Sequence, residues 1–163
     1  MVSEGETAPD FTLEGYADGS IQTITLSDVL ADERAAILAF YIYDYSPVCE
    51  DQLCEINDME FVTLNDEAAV LGISTDGPYS HREFATDNDI SYPLLTDDDR
   101  TVYEQYGMTE TADDGTTDPR RGIVVVDSDR TLQYRWVADD NWDEWKVEPL
   151  QRANSVVKDL PAD

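Results

Sequence analysis

The stretch that decides the fold is Phe-Tyr-Ile-Tyr-Asp-Tyr-Ser-Pro-Val-Cys-Glu-Asp-Gln-Leu-Cys, residues 40–54. An apolar and aromatic run over residues 35–43 leads into it, and a periodic apolar pattern follows Pro47. This order predicts a buried strand, a short loop and a helix. Ser46 suits the N-cap, because its hydroxyl can accept an unpaired amide of the first turn, and Pro47 suits the first helical position.

Cys49 is then expected in the first turn of that helix. Free amides and the helix dipole favour negative charge there, so they stabilise a thiolate, which is the reactive form of cysteine. The position alone leaves an alternative open, since free cysteine is also a common small hydrophobic residue in protein cores.

The charge of the chain excludes some classes of partner. It has 37 acidic and 10 basic residues, a formal net charge of −27. Nucleic acid and anionic membranes are poor partners for such a surface. The acidic residues are scattered along the chain, a pattern that resembles proteins of halophiles, in which about 1 M salt screens repulsion beyond about 3 Å. A length of 163 residues, 41% of them hydrophobic, predicts one domain over residues 1–163.

The sequence also leads us to expect a cytoplasmic protein. Residues 1–10 are acidic and lack the pattern of a signal peptide. The longest apolar run, residues 35–43, is much shorter than the roughly 20 residues of a membrane-spanning helix. In a reducing cytosol, two nearby cysteines are more often catalytic or metal-binding than structural.

Periodicity and turn residues predict the order of the elements. In chain order they are strands at 10–13 and 21–25 around a turn at 17–20, a helical turn at 27–31 capped by Ser27, a strand at 35–43, a helix from Pro47, a strand at 69–74, a helix at 78–89, an extended piece at 93–95, a helix at 98–106, a polar loop at 109–119, a hairpin of strands at 121–127 and 132–137, and a closing helix at 145–160. Strands alternate with helices in the first half, which predicts an α/β sandwich with a mixed sheet.

Several segments carry a resemblance to a known family. Residues 5–13 are Gly-Glu-Thr-Ala-Pro-Asp-Phe-Thr-Leu, residues 74–81 are Ser-Thr-Asp-Gly-Pro-Tyr-Ser-His, residues 92–97 are Tyr-Pro-Leu-Leu-Thr-Asp, and residues 121–127 are Arg-Gly-Ile-Val-Val-Val-Asp. With Ser46 and Cys49, which match Pro-x-x-x-Thr/Ser-x-x-Cys, they resemble the peroxiredoxins of the AhpC/TSA family. Cys54, five residues after Cys49, is similar to the subgroup related to bacterioferritin comigratory protein, where the resolving cysteine lies on the same helix.

The resemblance implies both a fold and an activity. The fold would be a thioredoxin-like sandwich, with a mixed central sheet flanked by helices and an N-terminal extension. The activity would be the reduction of hydrogen peroxide or alkyl hydroperoxides, without a metal or an organic cofactor. Cys49 would attack the peroxide and become a sulfenic acid. Ser46 would hydrogen-bond the thiolate or the peroxide oxygen, and Arg121 would bring positive charge to them.

The later steps are implied in the same way. Cys54 would condense with the sulfenic acid to give an intrachain disulfide, and a thioredoxin-like protein would reduce that disulfide. Two alternatives stay open. A general thiol-disulfide oxidoreductase is disfavoured by Cys-x-x-x-x-Cys in place of Cys-x-x-Cys. A peroxide-responsive redox sensor would instead pass the oxidation to a partner. The chain is expected to be a monomer or a homodimer.

Three further residues carry expectations. Ile42 occupies the proline position of the motif, so its packing has to shield Cys49. Arg120 competes with Arg121, but adjacent residues of a strand face opposite sides, and the resemblance selects Arg121. Arg120 is then expected to form a surface ion pair. His81, the one histidine, is predicted to be a solvated helix residue.

Overall fold

A computed structural model of the protein describes residues 1–59, 68–141 and 144–161. In chain order the elements are β1 Thr12–Ala17, β2 Ser20–Thr25, α1 Leu26–Leu30, β3 Ala35–Phe40, α2 Pro47–Met59, β4 Ala69–Ser74, α3 Pro78–Asn88, β5 Leu94–Thr96, α4 Thr101–Gln105, β6 Thr109–Thr111, β7 Thr117–Pro119, β8 Gly122–Asp127, β9 Leu132–Val137 and α5 Glu148–Asp159. Within these residues, no helix combines the length and the apolar character that crossing a bilayer requires.

A mixed sheet of seven strands organises the chain, in the order β2-β1-β5-β4-β3-β8-β9. The β3–β4 and β4–β5 pairs are parallel, and the other neighbours are antiparallel. The strands β6 and β7 form a separate two-stranded hairpin. The central strand β3 is buried along its whole length, as expected for a strand covered on both faces of the sheet.

Helices cover both faces of this sheet. Along β3, Ala35, Ile37 and Ala39 contribute to one hydrophobic cluster, and the alternate residues contribute to the other. Residues of α2, α3 and α5 complete the first cluster, and residues of α1 and α4 complete the second. The expected mixed α/β sandwich is confirmed. The N-terminal segment packs against it, with the Val2 amide donating to the Gln105 carbonyl over 2.9 Å and the Gly5 amide to the Leu132 carbonyl over 2.8 Å.

The predicted elements are largely confirmed, but the helices predicted from residues 98 and 145 each begin three residues later, at Thr101 and Glu148. Four further corrections concern the first half of the chain and the 109–119 loop. The strand β3 ends at Phe40, not at residue 43, because the amides from Ile42 onwards turn to acceptors outside the sheet. The helix α1 begins at Leu26, and Ser27 does not cap it, since its amide and hydroxyl both bond to Asp10. The first strand begins at Thr12 and runs to Ala17. The predicted polar loop at 109–119 contains the β6–β7 hairpin.

Candidate active site

The loop between β3 and α2 directs its amides away from the sheet ladder one after another. The Tyr41 amide still donates to the Ile73 carbonyl over 3.0 Å, but the Ile42 amide donates to Sγ of Cys49 over 3.4 Å. The Asp44 amide donates to the Asp76 carboxylate over 2.7 Å. Tyr45 then adopts a left-handed φ of 69°, and α2 begins at Pro47 as the sequence predicts.

Cys49 lies in the first turn of α2, and its side chain has 0% exposure. It packs in the same cluster as Ile42, Leu53 and Ile56. The predicted cap is wrong, because the buried Oγ of Ser46 has no hydrogen-bond partner among the described residues. An unpaired buried hydroxyl three residues before the cysteine can instead bond to a group that enters the site.

Strand pairing brings Arg121 to this loop. In the antiparallel β3–β8 pair, Phe40 lies opposite Gly122, so the residue before β8 comes beside the residues that follow β3. Arg121 is 2% exposed. Its Nε donates to the Asn141 carbonyl over 2.7 Å, and its Nη2 donates to the Asp140 carbonyl over 3.1 Å. These carbonyl acceptors orient the guanidinium.

Gln52 connects Arg121 to the helix of Cys49, and the sequence analysis missed it. Its side chain has 0% exposure, its Nε2 donates to the Phe40 carbonyl over 3.3 Å, and its Oε1 accepts from Nη1 of Arg121 over 3.5 Å. The signal was a polar residue three positions after Cys49, and therefore on the same side of the helix.

Arg120 points to a different set of partners. It forms an ion pair with Glu110 of β6, and its Nη1 donates to the Asp139 carbonyl over 3.3 Å. The expectation that Arg120 forms an ion pair is confirmed. The hairpin that supplies Glu110 therefore holds Arg120 away from the partners of Arg121.

Cys54 also lies on α2, and both cysteines are free thiols. It is partly buried, and its Sγ donates to Oδ1 of Asn88 on α3 over 3.8 Å. Burial raises the pKa of the Cys54 thiol, and the charges of Glu50, Asp58 and Asp51 raise it further. Five residues of regular helix separate two Cα atoms by roughly 8.6 Å, beyond the reach of a disulfide, about 7 Å.

The prediction for His81 is wrong, because this residue is completely buried. Its Nδ1 lies 2.8 Å from Oδ2 of Asp44, and its Nε2 lies 3.1 Å from the Leu95 carbonyl. Both partners are oxygen atoms that can accept a hydrogen bond. Asp44 also accepts from the hydroxyls of Tyr41 over 2.7 Å and Ser80 over 2.8 Å. This network fixes the loop before Cys49 against α3.

A cavity of about 380 Å³ opens beside the site. Its lining includes Ile42, which contacts Cys49, and Asn141, which contacts Arg121. Open space therefore borders the residues that contact Cys49 and Arg121, although Sγ of Cys49 lies in the core.

Comparisons with known proteins identify the family of the chain. A model of the AhpC/TSA family matches residues 5–135. A chloroplastic 2-cysteine peroxiredoxin of Chattonella marina var. antiqua is 32% identical over 142 residues, which are 82% of this chain and 69% of that protein.

Solved structures have the same architecture. The crystal structure of peroxidoxin BcpB from Mycobacterium tuberculosis matches with a TM-score of 0.81 and 26% identity, over 99% of this chain and 100% of that one. The crystal structure of Enterococcus faecalis AhpC matches with a TM-score of 0.80 over 97% of this chain and 93% of that one. At 21% identity, this second likeness concerns the fold alone.

Proposed function

The chain belongs to the AhpC/TSA family of peroxiredoxins, which are thiol-dependent peroxidases, and from that premise we propose that Cys49 reduces the peroxide. The observation that carries the proposal is the environment of its sulfur. Sγ is buried in the first turn of α2 and accepts an amide at 3.4 Å, and the buried guanidinium of Arg121 bonds to Gln52, which lies three residues further along the same helix. The helix start and the amide favour negative charge on the sulfur, and the guanidinium favours negative charge on the reacting oxygens.

The first step transfers one oxygen atom. The thiolate of Cys49 attacks the terminal oxygen of a hydroperoxide, the O–O bond breaks, and Cys49 becomes a sulfenic acid. The leaving oxygen takes a proton and departs as water or as an alcohol. We propose that Arg121 stabilises the negative charge that develops on the two oxygens. The unpaired hydroxyl of Ser46 would form a hydrogen bond with the peroxide.

The second step makes a disulfide. The thiolate of Cys54 attacks the sulfenic sulfur, a Cys49–Cys54 bond forms, and the sulfenic oxygen leaves as water. A dithiol protein of the thioredoxin type then takes the two oxidising equivalents and regenerates both thiols. Because the raised pKa of Cys54 keeps it protonated near neutral pH, this step also needs removal of its proton.

The disulfide requires α2 to leave helical geometry, since regular helix holds the two Cα atoms too far apart. We expect peptide mapping of peroxide-treated protein to find an intrachain Cys49–Cys54 bond. Amide hydrogen exchange across residues 46–56 should be faster in the disulfide form than in the dithiol form, by about tenfold or more for amides that lose their helical bonds. An exclusively intermolecular disulfide would contradict this mechanism.

The setting of the reaction completes the proposal. We place the whole chain, residues 1–163, in one peroxiredoxin domain that works in the cytoplasm as a monomer or a homodimer. The substrates are hydrogen peroxide and alkyl hydroperoxides. The surface charge of −27 fits the absence of nucleic-acid and membrane partners.

The decisive experiment is peroxide consumption with a thioredoxin system in molar salt. Cys49→Ser should abolish consumption. Cys54→Ser should still form the sulfenic acid, detected with a dimedone adduct, but should fail to cycle. If Cys49→Ser keeps near wild-type turnover, the assignment of the nucleophile is wrong. If Cys54→Ser cycles unimpaired, the enzyme uses one cysteine. A redox sensor would instead give oxidation without sustained consumption.

A further inference from the structure

The peptide group that joins Tyr41 and Ile42 is held at both of its polar ends. On one side, the Ile42 N–H donates to Sγ of Cys49 over 3.4 Å. On the other side, the hydroxyl of Tyr103 donates to the Tyr41 carbonyl. Because the peptide unit is planar, fixing the carbonyl also fixes the direction of the N–H.

Tyr103 is suited to this role by its surroundings. Its side chain has 0% exposure, and burial raises its pKa far above the ordinary value, with smaller contributions from the charges of Asp97 and Cys49. The hydroxyl therefore stays a neutral donor. The Ile73 carbonyl of β4 lies 3.0 Å from the same oxygen, so the single proton of the hydroxyl is shared between two carbonyls.

Within residues 1–59, 68–141 and 144–161, which the structure describes, one hydrogen-bond donor reaches Sγ of Cys49, and it is the Ile42 amide. Because Cys49 is completely buried, bulk water does not replace a missing donor in this state. A hydrogen bond to an ionised acceptor is about twice as strong as one between neutral groups, so this amide favours the thiolate over the thiol.

We propose that the backbone amide of Ile42, aligned by Tyr103, is a positioning group that stabilises the Cys49 thiolate. The inference deepens the proposed function, since it rests on Cys49 as the nucleophile. It separates two contributions of residue 42. The side chain, 4% exposed, fills the cluster around Cys49, whereas the amide acts on the charge of the sulfur.

The test measures ionisation instead of turnover. In a Cys54→Ser background, Cys49 is the single thiol, and its alkylation by iodoacetamide is followed by mass spectrometry from about pH 5 to about pH 9. Ile42→Pro removes the N–H and keeps an apolar side chain. Its alkylation profile should move to higher pH by about one to two units, the range expected for a lost hydrogen bond to a charged group.

Matched variants separate the amide from packing. Ile42→Val and Ile42→Ala keep the N–H while they remove one or more methyl groups, so their profiles should follow that of the parent. Replacement of Ile42 by its α-hydroxy acid removes the N–H without changing the side chain, and serves if Ile42→Pro does not fold. The resulting ester weakens the Tyr41 carbonyl as an acceptor, and Tyr103→Phe controls for that effect.

The outcomes are distinct from those that test the peroxidase assignment. A profile that moves with the proline or ester variants, but not with valine or alanine, supports the amide. Coinciding profiles for all four variants, or an equal shift in the alanine variant, would overturn the proposal and leave residue 42 with packing alone. Cys49→Ser, which tests the nucleophile, plays no part in this measurement.

Discussion

The two cysteines of α2 are five residues apart on one helix, yet their surroundings differ in kind. Sγ of Cys49 is completely buried, accepts an amide, and belongs to a site with a buried arginine. Sγ of Cys54 is partly exposed, donates to a neutral amide oxygen, and lies near three carboxylates. Burial by itself disfavours a thiolate at either position. What distinguishes the two is therefore the sign of the surrounding charges and dipoles.

The largest expected effect is that of low salt, which should unfold the chain and so remove the difference between Cys49 and Cys54. With a net charge of −27, we expect the folded chain to depend on screening of its carboxylates. A cooperative melting transition should be present in about 2 M KCl and should be lost as KCl falls to about 20 mM, where the screening length exceeds 10 Å. The two thiols of the unfolded chain should then be alkylated at similar rates.

The measurements are circular dichroism melts and site-resolved alkylation at both salt concentrations. Sucrose at matched osmolality is the control, because it favours burial without screening charge. A melting temperature that does not respond to KCl would remove the argument for a halophilic protein. It would also show that the acidic surface is tolerated without screening.

The second-largest expected effect is the loss of peroxidase activity when Arg121 is replaced. Arg121→Ala should lower kcat/KM for peroxide by about 100-fold, the typical loss when one preorganised donor to a developing oxyanion is removed. Arg121→Lys should recover part of it, since lysine restores the charge but not the planar fork that contacts Gln52, Asp140 and Asn141.

Arg120→Ala is the matched control, because it removes the same charge from the adjacent residue. Its guanidinium pairs with Glu110, so we expect at most a change of about threefold in kcat/KM. Equal losses in the two alanine variants would show that general positive charge, and not the position of Arg121, supports the reaction. Circular dichroism of each variant separates loss of activity from loss of fold.

The contrast between the cysteines was partly visible in the sequence. Local patterns gave the bounds of β4 and β9 and the start of α2 at Pro47, because strand alternation, helix periodicity and proline geometry act over a few residues. The resemblance singled out Cys49 and Arg121, which the antiparallel β3–β8 pairing then brings to one loop.

Long-range contacts were not visible in the same way. His81 is 37 residues from Asp44, and exposure statistics for histidine favoured a solvated position. Gln52 became recognisable only when strand pairing placed Arg121 next to α2. Serine is a residue type typical of helix caps, and Ser46 precedes α2 in the sequence. In the structure, the loop that Asp44 and His81 hold in place leaves the Ser46 hydroxyl unpaired. Such partners follow from topology, which short sequence windows do not contain.

The smallest effect tests the acidic surroundings of Cys54. In a Cys49→Ser background, Cys54 is the single thiol, and its alkylation rate reports the fraction of thiolate. Its raised pKa places that rate below the rate of a free cysteine at pH 8, and the rate should rise with pH through and beyond the ordinary range of thiols.

Glu50→Gln and Asp58→Asn each remove a charge that raises the pKa of Cys54, so each variant should lower that pKa and increase the alkylation rate at pH 8. A single charge acting through solvent changes the alkylation rate by about two- to threefold when screening is weak, so the variants are compared at the lowest KCl concentration that keeps the melting transition. Raising KCl to about 1 M should give the parent much of the same increase in rate. Glu55→Gln is the matched control, because Glu55 is exposed on the same helix but is absent from the charges that raise this pKa. If Glu55→Gln accelerates Cys54 as much as Glu50→Gln does, the effect reflects the net charge of the chain, and the carboxylates near Cys54 do not account for the contrast between the two cysteines.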